Sequence, residues 1–315
     1  MTIGVSSRAA AKRMPEEIPV ATATDHLFAG LQYLLPKHLL SRLVYALMRN
    51  RTPLIKNTAL RAFLAGYKID MSQAQESDPF AYASFNEFFT RALKPNARPI
   101  SPDPNLIVSP VDGTVSQCGH LQDVSIFQAK GHYYSLAELV AGDQDAIEAY
   151  RDGQFACIYL APYNYHRIHM PFEATVRKNI YVPGDLFSVN AATARAVPRV
   201  FARNERLICD FDTPTGRMAV VSIGALFVGS IETVHCGEVN PPPRRRKQPV
   251  AIPEGIGRRF AKGEELGRFN MGSTVVLLFQ SNRMRWDSRL TPQTQVRLGQ
   301  PIARVNDMSF NTAPH

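Results

Sequence analysis

Five apolar residues in a row, Val275-Val276-Leu277-Leu278-Phe279, constrain the fold more than any other stretch, because so short and apolar a run reads as a buried strand. The residues leading into it, Phe269-Asn270-Met271-Gly272-Ser273-Thr274, place a Gly-Ser bond at the strand's entrance. Glycine has no side chain to shield its carbonyl carbon from the following hydroxyl. If a base removes that proton, the Ser273 oxygen can attack the Gly272 carbonyl and move the acyl group from nitrogen to oxygen. The ester can then eliminate, cutting the chain and leaving dehydroalanine, which hydrolyses to a pyruvoyl group. Most Gly-Ser pairs are turns, so this chemistry needs support from elsewhere in the chain.

Two segments supply it. Ser109-Pro110-Val111-Asp112-Gly113-Thr114-Val115 offers an acid, and Tyr165-His166-Arg167-Ile168-His169-Met170-Pro171 offers two imidazoles. These are the groups that activate a serine. Each has an ordinary reading too. Asp112-Gly113 is a common turn pair. His166 and His169 could share a helix face and bind a metal with Glu173, but Pro162 and Pro171 bracket the segment too tightly for a helix. In an extended chain, residues three apart point to opposite sides, which argues against a shared metal. A serine hydrolase would use the same groups, but the chain has no GxSxG elbow.

Further segments follow in order: Phe85-Asn86-Glu87-Phe88-Phe89, Tyr181-Val182-Pro183-Gly184-Asp185-Leu186-Phe187-Ser188-Val189-Asn190, Phe201-Ala202-Arg203-Asn204-Glu205-Arg206 and Val228-Gly229-Ser230-Ile231-Glu232-Thr233-Val234. With the Gly-Ser site, they make the chain resemble the pyruvoyl-dependent phosphatidylserine decarboxylases of the bacterial, membrane-associated type, from about Leu31 to about Ile302. Met271 stands where that family commonly has leucine, a swap of similar volume. The resemblance implies self-cleavage between Gly272 and Ser273 into a β chain (1–272) and an α chain (273–315) that stay associated. It assigns Asp112, His169 and Ser273 to a charge relay in which His169 deprotonates Ser273. It also implies a covalent pyruvoyl cofactor from Ser273 that forms a Schiff base with phosphatidylserine, with no pyridoxal phosphate and no metal. His166 matches a second histidine, for substrate placement or proton delivery. The product would be phosphatidylethanolamine, made in phospholipid biosynthesis. A small amine precursor is the rival substrate, and an uncut membrane scaffold is the non-enzymatic rival.

Charge points to the membrane. The net charge is +9, and residues 1–70 hold ten Lys/Arg against four Asp/Glu. Such a balance suits nucleic acid or an anionic bilayer, and no nucleic-acid-binding motif stands out. The expected partner from charge is an anionic membrane surface, with no nucleic acid and with room for a homo-oligomer, and the resemblance adds phosphatidylserine. No run approaches the roughly 18 apolar residues of a membrane span. Cys118, Cys157, Cys209 and Cys236 form no CxxC pair, which fits reduced core residues. The expected location is peripheral, at the cytoplasmic face of the cell membrane.

The expected fold class is α+β, a mostly antiparallel β catalytic body with an amphipathic helical N-terminal arm. Residues 1–24 should be disordered, 25–70 should form the membrane-associating arm, and 71–315 the catalytic domain. In the arm, Leu39, Leu40, Leu43, Val44 and Leu47 fall on one helical stripe after Pro36, and Leu60, Phe63, Leu64 and Tyr67 on a second. Either stripe could pack on the body or lie on the bilayer. Strands are expected at 105–118, 154–160, 173–182, 207–211, 217–223, 226–234 and 274–279, with one helix over 135–150 capped by Ser135. The apolar stretch around Tyr181–Val189 reads as core, with a substrate lip as the alternative. Pro241–Lys247 should be a solvated loop, and the last dozen residues a frayed tail.

Overall fold

The computed structural model describes residues 20–129, 132–227, 230–239, 248–270 and 273–306. The expected disorder before residue 20, the Pro241–Lys247 loop, the tail from 307 and the Met271-Gly272 step lie outside the described residues. The architecture is α+β: three amino-terminal helices, then a body of sheets in which the ladders between strands run antiparallel.

Helix α1 spans Ala23–Leu34 and starts on a capping box, with Thr22 accepting from the Asp25 amide and Asp25 accepting from the Thr22 amide. Helix α2, Lys37–Met48, begins after Pro36, and α3, Pro53–Gly66, carries proline in its first turn. The three dock differently. Asp25 of α1 takes both ends of the Arg195 guanidinium, and its buried Gln32 bonds the Ser188 amide and Thr193 hydroxyl. α2 attaches through Ser41, whose hydroxyl accepts from the Phe227 amide, and through Arg49 and Tyr45 on Glu238. α3 alone docks by its apolar stripe. Leu60 is fully buried, and Phe63 packs edge-on to Phe85 of helix α4 (Phe85–Phe89). Of the two stripes, the α3 one packs on the body, while Leu39, Leu43 and Leu47 of α2 face outward.

The large sheet has the order 250–252, 174–182, 206–213, 216–223, 273–279, 154–160, 113–120, 295–296, with the short strand 259–260 also pairing 174–182. Strand Ser273–Phe279 sits inside it, paired on one side with Gln154–Leu160 and on the other with Gly216–Ile223. Its alternate residues enter two separate cores. Val275, Leu277 and Phe279 join one, Val276 and Leu278 the other, so both faces are covered and the run is continuously apolar. A four-stranded sheet, ordered 237–238, 231–233, 265–269, 167–169, lies next in the chain to this strand: Glu265–Phe269 leads through residues 270–272 into Ser273.

Several local expectations are corrected. The 105–118 strand is broken into Leu106–Val108 and Gly113–His120, because Pro110 has no amide to donate and its carbonyl instead accepts from the His169 amide at 2.9 Å. Of the described residues in 226–234, only Ile231–Thr233 are strand. The 135–150 helix is two, Leu136–Leu139 and Gln144–Tyr150, separated where Ala141 and Gly142 take positive φ (57° and 78°). The Ser135–Glu138 capping box does form. Three further short helices lie in the body, Phe85–Phe89, Ala191–Ala196 and Val200–Arg203, beyond the one expected over 135–150. Tyr181, Val182, Leu186, Phe187 and Val189 are buried core, which removes the lip alternative. The four cysteines are free thiols.

Candidate active site

Ser273 opens the inner strand opposite Leu160, with its residue fully buried and its hydroxyl without a hydrogen-bond partner among the described residues. A buried hydroxyl without a partner is costly, so such a group marks a site held for something other than folding stability. Gly272, the other half of the expected scissile bond, lies outside the described residues. The approach to that bond is nevertheless well anchored. The Asn270 amide donates to the Ser230 carbonyl, its Nδ2 to the Ser230 hydroxyl, and its Oδ1 accepts from Asn86 Nδ2 at 2.9 Å. Asn86 lies on α4, so the Phe85–Phe89 motif helps to position the residue two before Gly272.

His166 precedes and His169 ends the strand Arg167–His169, which pairs with Glu265–Phe269. His166 is fully buried. The Phe269 amide donates to its carbonyl at 3.0 Å, and the Phe89 ring lies 4.1 Å from the imidazole. Its Nδ1 donates to the Asn164 carbonyl at 2.8 Å, which leaves Nε2 as the unprotonated nitrogen, buried and without a partner. Burial holds the imidazole neutral, pushing its pKa down to about 3, and the Arg91 charge adds to this. His169 is organised the same way. Its Nδ1 donates to the Gly263 carbonyl at 2.8 Å, and its Nε2 accepts from the Tyr165 hydroxyl at 3.1 Å. Gly263 holds φ +82°, a conformation that favours glycine, and this aims its carbonyl at the histidine. Burial lowers the His169 pKa as well, while it raises Tyr165 to about 12 and keeps that hydroxyl a donor.

Asp112 sits beside this strand, because the neighbouring Pro110 carbonyl receives the His169 amide. Its carboxylate is engaged elsewhere. Arg98 clamps it through Nε (2.9 Å to Oδ1) and Nη2 (2.5 Å to Oδ2), and the Leu298 amide donates to Oδ1 at 2.9 Å. The next residue, Gly113, is required by space, since a Cβ there would lie 2.6 Å from the Tyr159 carbonyl. Among the described residues, no hydrogen bond joins Asp112, His169 and Ser273 to one another. Asp112 is close enough to His169 to act on it electrostatically, and each of Asp112, His166 and His169 keeps a separate set of partners. Arg98, Tyr165, Gly263, Asn86 and Asn270 were not singled out from the sequence. Tyr165, Asn86 and Asn270 lie inside the quoted motifs, whereas nothing local marks Arg98 or Gly263. Among the described residues no group of three or more His, Cys, Asp and Glu is arranged to hold a metal.

With this geometry in view, comparison with known proteins is specific. A family model described as phosphatidylserine decarboxylase matches residues 85–304, and a second, described as PSD, matches 27–68. A phosphatidylserine decarboxylase proenzyme of Alkalilimnicola ehrlichii is 54% identical over 83% of this chain and 91% of its own length. One from Azotobacter vinelandii is 50% identical over 90% of this chain and 99% of its own, and one from Shewanella sediminis 49% identical over 90% and 100%. Matches of this extent, over the motifs that build the serine and histidine site, mean that the chain belongs to the phosphatidylserine decarboxylase family.

Proposed function

We propose that this chain is a proenzyme that cuts itself between Gly272 and Ser273 and then converts phosphatidylserine to phosphatidylethanolamine and carbon dioxide at a membrane surface. The observation that carries the reading is Ser273: a buried hydroxyl without a partner at the head of an inner strand, in a fold that also holds two imidazoles neutral with Nε2 free of a proton. A pyruvoyl group formed from Ser273 would supply a carbonyl for the substrate amine and a sink for the electrons left by carbon dioxide. The Ser273 hydroxyl makes no competing hydrogen bond among the described residues, which leaves it available for that conversion.

In this reading His169 accepts the Ser273 proton through Nε2, exchanging the Tyr165 hydroxyl for that of the serine. The Gly263 carbonyl fixes the tautomer that makes this possible. Asp112 supports the imidazolium electrostatically, and its clamp by Arg98 keeps it in place. His166, with Phe89 against its ring and Nε2 bare, is placed to deliver a proton to the substrate carbon or to seat the headgroup.

Within the arm, residues 25–70, we assign α1 and α2 to the bilayer while α3 docks them to the body, and we assign residues 71–315 to catalysis. Leu27, Leu31 and Leu34 of α1 and Leu39, Leu43 and Leu47 of α2 are exposed while the polar positions of both helices bond the body. That arrangement supports a helix pair lying in the interface, with basic residues on anionic headgroups at the cytoplasmic face. No described helix is long and apolar enough to cross a membrane.

A denaturing gel with intact mass of the small fragment tests the reading. Native protein should give two chains, with a keto terminus on 273–315, and Ser273→Ala should give one uncut, inactive chain. Cleavage or turnover surviving in Ser273→Ala would sink the assignment.

A further inference from the structure

Arg91 follows Thr90, the C-cap of α4, and is only 5% exposed. Its Nε is buried with no acceptor, and the hydrogen bond it does make, Nη1 to the Phe88 carbonyl, is long at 3.5 Å. Arg217 and Arg268 also leave Nε without a hydrogen bond among the described residues, but Arg217 faces Asp210, and Arg268 faces Glu265 and, through Nε at 3.8 Å, Glu232. Arg206, similarly buried, donates to the carbonyls of Glu138, Leu139, Ala202 and Asn204. Among the described residues no carboxylate lies within ion-pair reach of Arg91. Burial lowers its pKa, yet a guanidinium stays charged at neutral pH. A buried cation without a counter-charge is destabilising by several kcal/mol in general, so its retention points to an anion that arrives later.

Its location says which reaction that anion belongs to. Phe89, two residues back, covers the His166 ring, and the Thr90 carbonyl accepts from Arg167 Nε at 2.8 Å. The Arg91 charge is felt at His166, and it feels Asp112 and Tyr165 in turn. It therefore sits on the segment that packs against His166, within electrostatic reach of His166, Asp112 and Tyr165. Phosphatidylserine brings two anions, a phosphodiester and a carboxylate. The carboxylate loses its charge as carbon dioxide forms, so a guanidinium on it would hold the ground state more tightly than the transition state. The phosphodiester keeps its charge throughout.

We infer that Arg91 is a substrate-binding residue that seats the phosphodiester of the lipid headgroup, and this rests on the decarboxylase reading above. The test compares soluble dihexanoyl-phosphatidylserine with a phosphate-free O-alkylserine in native protein, Arg91→Gln and Arg91→Lys, with self-cleavage followed on a gel. In Arg91→Gln, kcat/KM for the phospholipid should fall about tenfold to a hundredfold, mostly through KM, as loss of a charge-assisted bond implies. Turnover of O-alkylserine should stay within about twofold, and Arg91→Lys should recover part of the loss. An equal fall on both substrates would make Arg91 merely structural and overturn the inference. Should Arg91→Gln fail to mature, native enzyme decides alone: it must prefer the phospholipid, and parity between the two substrates overturns the inference. Native enzyme inactive on phosphatidylserine would instead overturn the decarboxylase reading itself.

Discussion

Leu43 on α2 is 59% exposed, whereas Leu277 on the inner strand is completely buried. Both belong to leucine-containing segments, and the difference lies in how each segment is attached. The strand is held by two ladders and presents both faces to packed cores. The helix is held by Ser41, Tyr45 and Arg49, so its polar side is the docked side and its leucines are left outward. Periodicity identifies which residues share a face but not what covers that face. One region is closed within packed cores, and the other presents its apolar side chains outward.

That contrast can be broken at three points. Leu277→Ala removes side-chain volume from the centre of a closed core and should cost about 2–5 kcal/mol in denaturant unfolding. A cost below about 1 kcal/mol would mean the inner strand is not the stabilising element. The next effect is pH dependence in the body. The His166 pKa is depressed from its usual value near 6.5 to about 3, so the unfolded chain binds the extra proton between those values. The stabilisation is present above about pH 6.5 and is lost as pH falls toward about 3, with a slope approaching ~1.4 kcal/mol per pH unit. His166→Gln should flatten that slope, although His235, held near 4 mainly by burial, keeps part of it. An unchanged slope would show that His166 is not buried neutral. Smallest of all should be the cost of Leu39→Ser, Leu43→Ser and Leu47→Ser, within about 0.5 kcal/mol each because those side chains are solvent-facing. The combined variant should nevertheless lose vesicle binding at least tenfold in a sedimentation assay with anionic liposomes. Retained binding would return α2 to an ordinary surface helix.

Much of this organisation could be read before the structure. The strand at 154–160 falls on its expected bounds, and 174–182, 206–213, 216–223 and 273–279 within a residue or two, because each is an apolar run between turn residues. Where tertiary contacts override local pattern, reading along the chain fails. Residues 105–118 have strand composition throughout, yet Pro110 donates no ladder bond and its carbonyl goes to His169, 59 residues away by number, so the strand is interrupted there. The partners of the expected acid and of His169 are remote in sequence. Arg98 reaches Asp112, Gly263 reaches His169, and neither spacing has a local signature. Burial without a partner, as at Arg91 and Ser273, is a property of three dimensions only.

The double pairing of Ser273–Phe279 has a kinetic corollary. A peptide break just ahead of this strand would leave a segment threaded between two neighbours rather than lying on a rim, so dissociation would require tearing both seams at once. Matured molecules would hold together indefinitely under native conditions. After full denaturation, however, recovery would become second order in concentration, and dilute samples would fail to regain activity that the uncut precursor could still acquire.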